Sequence, residues 1–95
     1  MAKASGFIET EGYVPIFRAV DAIVKSTDVT VTGVVKLGGG IVAVGLQGDL
    51  ATVEEAVSLG ERIANENGRG RCRSIIFANP CEPVEALAAN PRILV

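Results

Sequence analysis

Histidine is missing from all 95 residues. Its absence removes the commonest general base, the commonest metal ligand and every His-dependent nucleophilic triad. Tryptophan is missing too, aromatic residues make up 4% and the formal net charge is −2. Neither the basic footprint nor the stacking platforms of a nucleic-acid partner are therefore present. Cys72 and Cys81, the two cysteines, are too few and too loosely spaced for a disulfide scaffold or a zinc site. They are expected as free thiols in a reducing compartment. No apolar run reaches the roughly 20 residues of a membrane-spanning helix. The opening MAKASGF has no apolar region of the kind a signal peptide needs. These exclusions predict a cytoplasmic protein that takes no metal or cofactor, meets no membrane and catalyses no reaction.

What is present is a core. Hydrophobic residues make up 48% of the chain, enough for one domain spanning 1–95, with its core at about 4–88 and a tail at 89–95. A domain this short buries only about 60–65% of its unfolded surface, so subunit packing would add to its stability.

The periodicities order the elements. Ala4 to Thr10 reads as a strand, ended by Gly12, and Pro15 suits the first turn of a helix. Ile16, Phe17, Val20, Ile23 and Val24 recur at helical spacing and are expected to form its buried stripe, with Arg18, Asp21 and Lys25 outside. Val29, Val31, Gly33 and Val35 alternate with Thr30 and Thr32, the pattern of a half-buried strand. Ile41 to Leu46 is nearly all apolar, as a strand covered on both faces would be. Asp49 or Thr52 caps a second helix, Thr52 having Glu55 at capping-box spacing. That helix buries Val53, Ala56, Val57, Gly60, Ile63 and Ala64 and stops at Gly68. Arg71 to Phe77 supplies a fourth strand. Pro80, Pro83 and Pro91 leave room for only a short helix near Val84 to Ala89. The fold class is α+β, in the ferredoxin-like split β-α-β-β-α-β order. It has a four-stranded antiparallel sheet with two helices on one face, plus the short C-terminal helix.

Gly38-Gly39-Gly40 joins the second and third strands, behind Lys36 and Leu37. Three readings are open for it: a flexible hairpin, a phosphate cradle, or a place where symmetry copies meet and only small residues fit. The cradle fits poorly, because LGGGIVAVG lacks a P-loop ending and leads into a strand, not a helix N-terminus. Glu9 and Glu11 share a strand face but find no acid-base partner. Arg69, Arg71 and Arg73 would make a small positive strip, read as a solvated edge.

Together these stretches resemble the single-domain, hexamer-forming shell proteins of bacterial microcompartments (the BMC domain family, found in carboxysome and metabolosome shells). The resemblance covers about Gly6 to Glu85. It rests on GFIET-G at Gly6 to Gly12, AVDAIVKS-x-x-V at Ala19 to Val29, G-x-x-K-L-G-G-G at Gly33 to Gly40, and QGDLATVEEAV at Gln47 to Val57. It implies a cyclic homohexamer that tiles with other shell proteins into flat facets. Small polar metabolites would cross a central pore lined by Lys36, Leu37, Gly38, Gly39 and Gly40. The family usually carries serine at the position of Gly39, so glycine implies a wider, amide-lined constriction. Lys25 matches a lysine used at the family's hexamer–hexamer edge. In ANPCEP, Asn79 stands where the family has an arginine, beside Pro80, and Cys81 stands where histidine is frequent. Asparagine lacks the charge and reach of a guanidinium, so side-to-side docking is expected to be weak. The runner-up function is a small ligand-binding or regulatory oligomer that uses the glycine hairpin as an anion site.

Overall fold

The computed structural model describes residues 3–67 and 72–90. In β1 (Lys3–Glu11) the even-numbered Ala4, Gly6, Ile8 and Thr10 are all buried on one face, while on the other Ser5 is buried and Phe7 and Glu9 are half-buried. At Gly12 the chain adopts φ 88, a conformation that favours glycine, and turns into α1 (Tyr13–Ser26). β2 (Thr30–Gly38) and β3 (Ile41–Asp49) form a hairpin, and α2 (Leu50–Asn67) leads to β4 (Arg73–Phe77) and α3 (Glu82–Ala89). The sheet runs β2-β3-β1-β4 and every pair is antiparallel. This is the split arrangement expected from the element order.

α1 and α2 pack on the sheet face that carries Ala4, Ile8, Val42, Val44 and Leu46, and α3 lies across the other face. Gly6 and Gly60 permit the close approach of the first layer. A Cβ on Gly6 would meet Val53 and Val57 at 3.0 and 3.2 Å; one on Gly60 would meet Ile8 and Ile23 at 2.7 and 2.9 Å. Ile8, Ile16, Ile23 and Leu46 are completely buried, each contributing about 1.5–3 kcal/mol relative to exposure. α3 is tethered by polar groups. Thr32 Oγ1 lies 2.6 Å from the Ala88 carbonyl and 3.0 Å from that of Gly45, its one proton shared between them. Gln47 Nε2 donates to the Glu85 carbonyl at 3.2 Å.

Several expectations are corrected. α1 buries Pro15, Ile16, Ala19 and Ile23, whereas Phe17 and Val24 are exposed. Residues 16, 19 and 23 share a helix face, and 17 and 24 lie about 100° further round. The alternation in β2 does not run unbroken. A bulge between Val31 and Gly33 puts two β2 steps against one of β3, so Val34 packs on the core alongside Val31. Gly33, at φ 130, accommodates that bulge. Asp49, not Thr52, caps α2: the Thr52 amide donates to Asp49 Oδ1 and its hydroxyl to Oδ2, both at 2.9 Å. Thr52 is thus the third residue of the helix. β4 begins at Arg73, two residues later than expected, and α3 begins at Glu82, two earlier, with Pro83 in its first turn. Gly68, Arg69 and Arg71 lie outside the described residues.

Candidate functional site

The glycine hairpin is built by local backbone geometry. Gly38 pairs with Ile41 across the turn, and the two residues between them have φ 61 (Gly39) and φ 83 (Gly40). Positive φ at both central positions is the requirement of a type I′ turn, whose twist matches the flanking strands. Gly38, at φ 97, adds a third positive-φ position at a second register shift, between Lys36 and Gly38. A Cβ at any of the three would have no neighbour within 4 Å in its own subunit. The loop is fastened at its base by the Gly12 amide, which donates to the Gly40 carbonyl at 2.7 Å. Lys36, Leu37 and the glycines are all exposed. The tip is therefore bare backbone projecting beyond the fold, while the base of the hairpin meets the N-cap of α1 through the Gly12–Gly40 hydrogen bond.

Lys25 and Asn79 to Cys81 sit at the other end of the strands. The register row Thr30–Gln47–Ser5–Phe77 crosses the sheet at that end, while Gly38–Ile41–Glu11 marks the hairpin end. Lys25, in the last turn of α1, is held near the β2 edge and pairs with Asp21 at 3.0 Å. Both side chains are largely exposed, so water screens the pair. Asn79, Pro80 and Cys81 form the connection from β4 to α3 on the opposite edge; Asn79 and Cys81 are exposed. The fold thus separates the expected edge residues from the expected pore residues by the length of the sheet, and it leaves Lys25 and Asn79 on opposite flanks.

Cys72 is half-buried, and burial, with the negative charges of Glu61 and Glu9, raises its pKa. It stays a protonated thiol at neutral pH. Glu9 and Arg73 face each other across β1 and β4 and line a groove of about 420 Å³ on the α3 side of the sheet. Its other walls include Phe7, Leu37, Ile75, Phe77 and Leu87. Sequence patterning did not single out this groove. Its residues come from all four strands and α3, which only the tertiary fold brings together.

A bare-backbone turn thus lies at one end of a small sheet, and exposed polar residues lie at the other. The chain belongs to the BMC domain family, the shell-protein family of bacterial microcompartments, which it matches over residues 4–80. It is 40% identical over 86 residues to the carboxysome shell protein CcmK2 of Synechocystis sp., covering 90% of this chain and 84% of that one. It is 36% identical over 94 residues to the carboxysome shell protein CsoS1 of Prochlorococcus marinus, covering 99% and 91%. A crystal structure of a microcompartment protein from Desulfitobacterium hafniense is similar at a TM-score of 0.77 and 30% identity. That likeness covers 90% of this chain and 48% of the other, so the chain spans about half of that protein.

Proposed function

We propose that the protein is a structural tile of a bacterial microcompartment shell, a cyclic homohexamer whose glycine hairpins ring a central pore for small polar metabolites. The single observation that carries the reading is the polarity of the sheet: the side-chain-free hairpin projects from one end, and Lys25 and Asn79 flank the other. In a ring with strands running outward from the axis, that polarity puts small backbone groups where copies converge and docking groups on the perimeter. Gly39 then leaves amides and carbonyls as the lining, and Lys36 and Leu37 stand at the mouth. At the perimeter, Asn79 and Cys81 offer no cation to a neighbouring ring, so extended facets form with the help of other shell proteins. The family relationship supports a structural role, and the tile carries out no catalysis.

The native mass of the purified chain, followed by negative-stain imaging of the same sample, tests this reading. A six-subunit particle with a central depression is expected. A stable dimer or trimer would refute it and turn attention to ligand binding at the hairpin.

A further inference from the structure

Among the described residues, one buried side-chain polar atom has no hydrogen-bond partner: the hydroxyl of Ser5, a completely enclosed residue. A hydroxyl that gives up water without a replacement bond works against the state that encloses it. Ser5 lies on the α3 side of the sheet. It precedes Phe7 by two residues, and Phe7 lines the groove there together with Val84 and Leu87 of α3. Across the neighbouring strands Ser5 faces Gln47 and Phe77, and Gln47 in turn reaches the Glu85 carbonyl of α3.

The helix above this layer is weakly held. α3 has eight residues, whereas an isolated helix below about 12–15 residues is marginal in water. Only Ala88 of the eight is buried, and Cys81 makes no side-chain cap bond at the helix start. Beyond the half-buried Val84 and Leu87, its grip on the sheet is two side-chain donors aimed at its own carbonyls, Thr32 to Ala88 and Gln47 to Glu85. The first of these bonds is built to be exchanged. Thr32 has one hydroxyl proton and two acceptors, the Ala88 carbonyl at 2.6 Å and the Gly45 carbonyl at 3.0 Å. When α3 withdraws, that proton passes wholly to Gly45, a strand carbonyl that stays in place. The helix carbonyls and the Ser5 hydroxyl then turn to water.

From these observations we infer that α3 is a strap with two positions, one closed on the sheet and one released, while the sheet, α1 and α2 stay folded in both. Ser5 favours release, because release restores its hydration. Gln47 is the pin that opposes it, and Thr32 is bonded in either position. Local opening of this kind belongs to segments with few buried contacts and costs less than unfolding the chain. The inference goes beyond the tile reading and holds for one chain as for a ring. In a tile it gives the α3 side of the sheet two forms, one of them with Ser5 and Gln47 uncovered.

Native-state hydrogen exchange of the purified chain, resolved into its helices and strands, tests it. In the wild type the α3 amides are expected to exchange well ahead of those in α2 and β3. Ser5→Ala removes the unpaired hydroxyl and should slow α3 exchange about tenfold. Gln47→Glu sets a carboxylate oxygen where a donor faced the Glu85 carbonyl and should speed it by a similar factor. Ile8→Val, in the core on the other face of the sheet, weakens the whole fold. It should speed the slowest core amides about fivefold and leave α3 unchanged, because the core is intact in both strap positions. An α3 that exchanges no faster than α2 and β3, or that follows Ile8→Val, opens only with the whole chain and overturns the inference. An α3 rate that Ser5→Ala leaves unchanged overturns it as well, and that substitution alone suffices if Gln47→Glu does not fold. The native mass enters none of these comparisons, so the strap and the tile reading fail separately.

Discussion

Substitution of Gly39 separates what the turn demands from what a symmetry axis demands. At φ 61 a side chain enters the left-handed region, which costs an L-residue roughly 1–2 kcal/mol. Asparagine tolerates that region better than alanine or valine, and followed by Gly40 it forms the Asn-Gly pair that type I′ turns prefer. Within its own subunit a Cβ at Gly39 meets nothing within 4 Å, so no packing cost adds to the backbone cost. For the isolated protomer the expected order of destabilisation is Gly39→Asn below about 1 kcal/mol, Gly39→Ala at about 1–2, and Gly39→Val at the top of that range or above it. In the proposed six-membered ring, valine should lose more, because six β-branched side chains would converge. Urea unfolding with native mass recorded at two protomer concentrations measures both parts, because assembly makes apparent stability concentration-dependent. Gly39→Asn as costly as Gly39→Val at the lower concentration would refute the turn argument. Gly39→Val with no extra cost on assembly would refute the axial placement.

Gly60→Ala gains about 1 kcal/mol in helix propensity. It also drives a methyl to within 2.7 Å of Ile8 and 2.9 Å of Ile23, an overpacking cost of about 1–3 kcal/mol. The variant is expected to be less stable, and Ile8→Val, which removes the nearest methyl, should recover part of the loss in a double-mutant cycle; strictly additive effects would contradict the contact. The Thr52 amide and hydroxyl hold the Asp49 carboxylate below its ordinary pKa of 3.8. The cap is therefore fully present above that value and lost as pH falls through the lower folded one. Wild type should outlast Asp49→Ala in thermal melts near pH 7, with the gap closing as the pH falls below about 4; a constant gap would contradict the assignment. Cys81, exposed, should react with a thiol reagent faster than Cys72, whose pKa burial raises; peptide mapping after brief labelling reads the order.

The sequence by itself determined the element order, the fold class and the hairpin. Alternation over Ala4 to Thr10, the apolar run of β3 and the glycine punctuation are local signals, and local backbone physics acts on them directly. The family was legible for a related reason: its motifs sit in the elements themselves. Only the tertiary structure decided which side of α1 faces the core. Phe17 and Val24 satisfy a helical repeat as well as Ala19 does, and hydrophobicity alone favours the larger side chains. Close packing against Gly60 selects the Ile16–Ala19–Ile23 face instead. The cap at Asp49 depended on the end of β3, and the bulge in β2 on its pairing with β3. The groove of Leu37, Ile75 and Phe77 joins residues far apart in the chain. Such features arise from contacts between elements, and a one-dimensional pattern carries no term for them.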